Sequence, residues 1–269
     1  MGQKRNRLAQ VAPEAALLLG AGRAILLQLA DPQVGRAIAE HSDFAANPLS
    51  RLIHTLGYIY ALSNGSDEQQ RAIIEHVNRA HAPVHGTRNK TSNEPAYSAF
   101  DPNLQLWVAA TLFDSARALG AQVLPWWQEV AGDQLYREYA RLGDALQMPT
   151  EYWPEHEKAF NSYFAQRLTT LNVNESVKSQ ATELFRGQHA PWWIRLPLPL
   201  MRDVTIAQLP PRVRELFGYE ITASVRRRNA AVIFSARAAT RILPRFIRHA
   251  PARMILKYVQ KMSADSADS

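Results

Sequence analysis

The chain contains no cysteine among its 269 residues. This absence excludes disulfide scaffolds, cysteine zinc sites, iron–sulfur clusters and thiolate nucleophiles. Any metal or metal cofactor must therefore be held by histidine, carboxylate or tyrosine side chains. The hydrophobic content of 46% is nevertheless high enough for a chain of this length to bury a sizeable core.

Long apolar runs are also missing. The stretch 17–30 is interrupted by Arg23 and Gln28, which makes it too short and too polar to span a bilayer. No clear cleavage site follows the basic N-terminus, and Asn6 stands where the myristoylation pattern needs serine or threonine. We therefore expect a cytoplasmic protein, with peripheral membrane contact as a further option.

Several common catalytic and nucleotide-binding motifs are absent as well. The sequence has no phosphate-binding loop, no Gly-x-Ser-x-Gly nucleophile elbow, no His-Glu-x-x-His zinc motif and no Glu-x-x-His pair of di-iron bundles. Gly20 and Gly22 begin a dinucleotide fingerprint, but Ile25 replaces its third glycine and no strand precedes it. These glycines instead indicate a close contact between helices.

Helical signals recur along the chain, and no alternating strand pattern bounded by hairpin turns is found. Asn47 as N-cap and Pro48 as first residue predict a helix that ends near residue 64. Ser66 and Gln69 form a capping box for the next helix, which Pro83 must end.

Further along, Asp101 and Pro102 start a helix that runs to about residue 120, and another helix is expected over 126–146. We predict an all-α fold in a single compact multi-helix domain spanning 9–262. The segments 1–8 and 263–269 are expected to be flexible termini.

The candidate histidines His54, His81 and His85 lie within 32 residues of one another, close to a positioned arginine. Arg51, His54 and Thr55 share one face of the helix that starts at Pro48, by their spacing of three and four residues. His81 lies in the last turn of the next helix and His85 in the loop beyond it. Neutral imidazole is the commonest protein ligand for metals and haem iron, so this cluster is a candidate site.

Zinc is a weak alternative for this cluster. His81 and His85 have the four-residue spacing of zinc ligands, but Pro83 breaks the helix that would align them, and no third ligand is obvious nearby. Each histidine taken singly is also compatible with a surface or satisfied core position.

The order of motifs along the chain resembles a known family, the catalytic domain of rubber oxygenases and mycophenolic-acid-pathway (MpaB-like) oxygenases, which includes latex-clearing protein. The resemblance extends more weakly to Leu243-Pro244 and rests on these segments: Gly22-Arg23-Ala24, Gln28 to Pro32, Glu40 to Phe44, Asn47-Pro48, Arg51 with Thr55, His81-x-x-Val84-x-Gly86, Tyr97-x-Ala99-x-Asp101-Pro102 and Trp107-Val108.

The resemblance implies helices around a central pocket for haem b, with one histidine as the proximal iron ligand. The His-x-x-Val-x-Gly motif favours His81 as this ligand, whereas the 30-residue interval from Thr55 favours His85. We prefer His81, because the last turn of a helix is more rigid than a loop.

In the rubber-cleaving branch an Arg-x-x-Lys-Thr group lines the distal side, and Arg51, His54 and Thr55 stand in that register here. His54 therefore stands where that branch has a lysine. Its imidazole is a candidate for a second, displaceable axial ligand of the iron or for a proton donor to bound oxygen. For Arg51, pairing with a haem propionate or a neighbouring carboxylate is an equal alternative. Two further departures from the family pattern are Asp31, where the family often has histidine, and Ala109, where a histidine often follows Trp-Val.

The function that the resemblance implies is a haem b-dependent oxygenase. Its partners would be dioxygen and an apolar substrate, either a small molecule or a polymer, that carries an alkene or prenyl group. Oxidative cleavage of a carbon–carbon double bond is the implied reaction.

The region 221–262 carries eight arginines, two lysines and no acidic residue, although the net charge of the whole chain is only +7. One expected arrangement places its arginines on one helical face, opposite an apolar face, and the residues concerned are Arg237, Arg241, Arg245 and Arg248 against Val232, Ile233, Phe234, Ile242 and Phe246.

This basic region supports an alternative function, a non-catalytic helical module that binds a membrane surface or nucleic acid, of which nucleic acid is less favoured. A solvated face on a core-packing helix is the structural alternative. The pairs Trp126-Trp127 and Trp192-Trp193 are candidate interfacial anchors, although burial is expected for most of them.

Overall fold

The computed structural model describes residues 6–41, 48–88, 95–187 and 192–267, without the side chains of 48–50, 193–194 and 263–267. The all-α prediction is confirmed, since helices dominate these ranges and the strands are two residues long. No single described helix has the length and apolar composition to cross a membrane. Within the described ranges, one pair of helices, 15–29 with 32–41, has that length and composition together, but the two are bent by 101°.

The first half of the chain contains the helices α1 (Arg7–Val11), α2 (Ala21–Leu29), α3 (Pro32–His41), α4 (Pro48–Asn64), α5 (Asp67–His81), α6 (Pro102–Val123), α7 (Trp127–Val130) and α8 (Asp133–Asp144). A 3-10 helix, Ala15–Gly20, precedes α2, and another, Thr150–Tyr152, follows α8. Between α5 and α6, the strands β1 (His85–Gly86) and β2 (Tyr97–Ser98) pair antiparallel.

The second half of the chain contains the helices α9 (Glu157–Thr170), α10 (Glu175–Arg186), α11 (Trp192–Arg195), α12 (Leu198–Gln208), α13 (Pro211–Phe217), α14 (Ala223–Ile242), α15 (Arg245–Arg248) and α16 (Ala250–Ala267). Since α16 continues to Ala267, helix extends past the predicted domain end at residue 262. The domain boundaries stay a prediction.

Local capping explains where the helices begin and end. Ser66 Oγ accepts from Gln69 N at 3.2 Å and Gln69 Oε1 accepts from Ser66 N at 2.9 Å, which confirms the capping box of α5. This helix ends at His81, two residues before Pro83, as predicted. Asp101 Oδ1 accepts from Asn103 N and caps α6, whereas the predicted cap Asn47 lies outside the described residues.

The single helix predicted over 126–146 is wrong, because the segment forms two helices, α7 and α8. Gly132 separates them with φ of 109°, a backbone conformation that only glycine adopts without strain. The sequence pattern is compatible with continuous helix here, and the break depends on one glycine.

The core is organised around α6, whose Trp107 and Phe113 are almost fully buried. Phe113 packs edge-on against Phe160 of α9, with ring centroids 5.0 Å apart, and against Tyr136 of α8 at 5.3 Å. The indole N–H of Trp107 donates to the carbonyl of Leu27 in α2 at 3.3 Å. These contacts hold α2, α8 and α9 against the central helix.

Gly22 marks the close contact between α2 and α12 that the glycine pair indicated. A Cβ at this position would lie 2.1 Å from Thr205 Oγ1. We expect Gly22→Ala to lower the free energy of unfolding by about 1–3 kcal/mol, because the helices would have to separate. Urea unfolding measures the change. Gly20→Ala is the control, since its Cβ would lie at ordinary contact distances of 3.5 Å or more; equal stability of the two variants would contradict the prediction.

The single arginine face predicted for the basic region is wrong. Leu243 is extended and Pro244 cannot donate to a helical carbonyl, so α14 ends at Ile242 and Arg245 begins another helix. Arg248 turns inward and pairs with buried Glu14 at 2.6 Å. Of the predicted apolar face, Phe234, Ile242 and Phe246 are exposed, whereas Ile233 packs on the core.

Candidate functional site

A cavity of about 470 Å³ lies among α2 to α6 and the C-terminal end of α8. Its walls are mostly aliphatic and include Val34, Ile38, Val77, Val84, Leu104, Val108, Leu112, Leu142 and Leu146. Such a low-dielectric space suits an apolar ligand and amplifies the effect of the few polar groups that face it.

The α4 wall of the cavity carries the predicted group of polar side chains. Arg51, His54, Thr55 and Tyr58 all line the cavity, as their shared helical face requires. Burial lowers the pKa of Arg51 to about 10, so its guanidinium stays charged at neutral pH. The hydroxyl of Tyr58 donates to the carbonyl of Leu142 at 2.6 Å and ties this wall to α8.

The α5 wall carries His81. Its imidazole is half-buried, and its Nδ1 is enclosed without a hydrogen-bond partner among the described residues. Burial, and then the positive charge of Arg51, lower the pKa of His81 below its usual value. The ring is therefore neutral at neutral pH, which is the form that ligates metals.

His85 does not join this group. It is exposed on β1, where it is paired with Ser98, and it is not among the residues that line the cavity. Val84 still lines the cavity, but the next residue, His85, does not. Among the described residues, no three histidine or carboxylate side chains are grouped to hold a metal ion.

His76 also lines the cavity, although its sequence position was not recognised as part of the site. Its ring lies 4.8 Å from that of His54, and His54 stacks at 6.4 Å on Tyr258 of α16. Burial lowers the pKa of both imidazoles. The sequence did contain a sign that His76 faces inward. It lies three residues after Ile73, and this spacing places both side chains on the same face of α5, where Ile73 is buried.

A second polar group at the cavity was also missed. His41, at the end of α3, lines the cavity and contacts Tyr97 Oη through its Nε2 at 2.7 Å. Tyr97 donates to Glu40 Oε2 at 2.6 Å, so the imidazole supplies the proton in the first contact. Arg36 Nε donates to the other oxygen of Glu40 at 2.7 Å. Hydrogen bonds from Tyr97 and Arg36 lower the pKa of Glu40.

The two departures from the family pattern have different surroundings. Asp31 Oδ1 accepts from Gln33 N and Val34 N and so caps α3, while its Oδ2 pairs with Arg167 at 2.5 Å. Asp31 therefore links the start of α3 to α9. Ala109 lines the cavity, where a small side chain leaves space that a histidine would fill.

Comparison with known proteins gives a family match over most of the chain. The family described as "ER-bound oxygenase mpaB/B'/Rubber oxygenase, catalytic domain" matches residues 9–245. The "uncharacterized protein Mb2261" of Mycobacterium bovis and the "uncharacterized protein Rv2237" of Mycobacterium tuberculosis are each 29% identical over 229 residues, which cover 82% of this chain and 87% of the relative. No solved structure gives a significant match.

Proposed function

The chain belongs to the MpaB and rubber oxygenase catalytic-domain family, and from this membership we propose that it is a haem b-dependent oxygenase. The family relationship supports an oxidoreductase that uses dioxygen and an organic substrate. We propose further that the substrate is apolar and carries an alkene or prenyl group, because the cavity walls are mostly aliphatic.

The observation that carries the haem proposal is a neutral imidazole that lines an apolar cavity beside the half-buried guanidinium of Arg51. The porphyrin of haem supplies four nitrogen ligands, so one protein imidazole is sufficient to attach it. His81 fits this role, because its enclosed Nδ1 lacks a partner among the described residues and its pKa is lowered. Exposed His85 does not fit, which favours His81 over the alternative that the interval from Thr55 indicates.

The hydrogen-bond donors on α4, Arg51 and Thr55, would interact with oxygen atoms bound in the cavity. When bound, haem iron supplies the binding and activation of dioxygen. Arg51 offers a permanent positive charge, and the Thr55 hydroxyl can donate a hydrogen bond to an oxygen atom in the cavity. Equally, Arg51 can pair with a propionate of the cofactor.

His54 and His76 together suit proton transfer. Both line the cavity, and their lowered pKa values keep the imidazoles neutral at neutral pH, so that each can accept a proton at one ring nitrogen and donate a hydrogen bond from the other. Cleavage of one carbon–carbon double bond by one molecule of dioxygen gives two carbonyl groups. The stoichiometry needs no external reductant, so these residues would supply no electrons; they would orient oxygen atoms by hydrogen bonding and accept and return protons there.

The visible spectrum of the purified protein tests the cofactor. After expression with an adequate haem supply, we expect a Soret band at about one haem per chain, which apoprotein regains when titrated with hemin. A folded protein that shows no Soret band under either condition would overturn the haem proposal.

Oxygen uptake tests the reaction. Haem-loaded protein incubated with polyisoprene oligomers or a prenylated aromatic should consume dioxygen and release carbonyl products, which a hydrazine reagent detects. The saturated analogue of each substrate is the control, because it offers the same apolar surface without a double bond. Equal uptake with both would contradict alkene cleavage.

A further inference from the structure

An apolar, positively charged corner projects from the body where α14 meets α15. All seven residues from 241 to 247 are exposed, and we call them the C-terminal corner. Ile242 is 77% exposed and Phe246 is 64% exposed, and Leu243 and Ile247 are also open to solvent. Exposing four neighbouring large apolar side chains is costly in water, so the corner is expected to contact something else.

The charge of the corner restricts what that contact can be. Arg241 and Arg245 alternate with the apolar side chains, and in the described part of the chain no carboxylate forms an ion pair with either of them. The whole region 221–262 has no acidic residue. A partner with negative charge at its surface and apolar material beneath would complement both features.

The corner is anchored from beneath by polar contacts. Arg248 Nη1 donates to Glu14 Oε1 at 2.6 Å, and His249 Nε2 lies 3.0 Å from the same oxygen. Arg248 Nε also donates to the carbonyl of Leu243 at 3.0 Å, and Arg253 donates to the carbonyl of Phe246. These contacts orient the backbone so that the apolar side chains point away from the body.

We propose that the C-terminal corner docks on an anionic lipid bilayer. Ile242 and Phe246 would enter the boundary between headgroups and acyl chains, while Arg241 and Arg245 would pair with lipid phosphates. Nucleic acid would use the arginines but gain little from the aliphatic side chains. A second copy of the chain would bring two arginine-rich surfaces together, and like charges would repel.

Helix α16 connects the C-terminal corner to a residue of the cavity wall. Met254 and Tyr258, four residues apart on this helix, are both exposed, and Tyr258 stacks on His54 in the cavity wall. Tyr258 lies about 12 Å along the helix from its start at Ala250. Docking would therefore bring the bilayer near the exposed Tyr258 that contacts the cavity wall, although lipid binding itself does not depend on the proposed oxygenase activity.

Vesicle co-sedimentation of the full chain tests the proposal. We expect binding to vesicles of equal parts phosphatidylcholine and phosphatidylglycerol, little binding to phosphatidylcholine alone, and weaker binding at high salt. The double variants R241Q/R245Q and I242S/F246S should each bind at least about tenfold more weakly. Because all four side chains are exposed, circular dichroism and thermal unfolding should match the wild type.

Matched controls remove the same charge or an apolar side chain elsewhere on the surface. R71Q/K158Q takes away two exposed positive charges, and Y152S removes an exposed aromatic ring; neither should change vesicle binding more than about twofold. Equal losses in the controls would overturn the proposal. So would tighter binding to duplex DNA than to anionic vesicles, or a wild-type dimer that I242S/F246S converts to a monomer.

Discussion

Replacing His81 with alanine is expected to abolish the Soret band of the haem-loaded protein. His81 is the ligand that we propose for the iron, and burial and the charge of Arg51 keep its imidazole neutral. His76 is the other histidine on α5. Its ring already contacts that of His54, with centroids 4.8 Å apart, so it is not free to replace His81 as ligand. Absorbance at the Soret maximum, normalised to protein, measures the loss.

His85→Ala is the matched control for this experiment. It removes an exposed imidazole four residues away and should leave the spectrum unchanged, because His85 does not line the cavity. Circular dichroism of both variants separates loss of ligation from loss of fold. If His85→Ala loses the band and His81→Ala keeps it, the assignment of the ligand reverses while the haem proposal stands. If both keep it, neither residue is the ligand.

Replacing Asp114 with asparagine is expected to cost about 3–5 kcal/mol of folding free energy. Asp114 on α6 pairs with Arg23 on α2, and both side chains are buried. Arg23 also donates to Ser115 Oγ and to the carbonyl of Gln208, each at 2.9 Å. The variant would leave the guanidinium charge buried without a counter-ion, which the remaining neutral acceptors cannot balance.

The midpoint of thermal unfolding should fall on the order of 10 °C for Asp114→Asn. Glu183→Gln is the control, because it breaks the pair between Glu183 and largely exposed Arg186 on α10. A surface pair of this kind contributes at most about 1 kcal/mol. A fall of similar size in both variants would show that the buried pair between α2 and α6 is no more important than a surface one.

Much of the local structure could be predicted from sequence because it depends on neighbours along the chain. The capping box of Ser66, the cap at Asp101 and the end of α5 before Pro83 all involve groups within four residues of each other. The face shared by Arg51 and Thr55 follows from helix geometry alone. The break at Gly132 escaped prediction, since one glycine is compatible with either continuous helix or a turn.

The candidate site was only partly predictable. Arg51, His54, Thr55 and His81 were identified from their order and spacing, and they line one cavity. Spacing could not separate His81 from His85, because a proline allows the chain after it to turn in several directions. The separation became visible only when β1 carried His85 to the surface.

The sequence by itself determined the helical class, the ends of helices with clear caps or prolines, such as α5 and the start of α6, and the family to which the chain belongs, because these depend on short-range backbone chemistry and on ordered motifs. Tertiary packing decided which of those residues meet. It brought His76 against His54, His41 against Tyr97, and Arg248 onto Glu14 from the other end of the chain. Such contacts join residues far apart in sequence, and they form only where buried surfaces of several helices fit together.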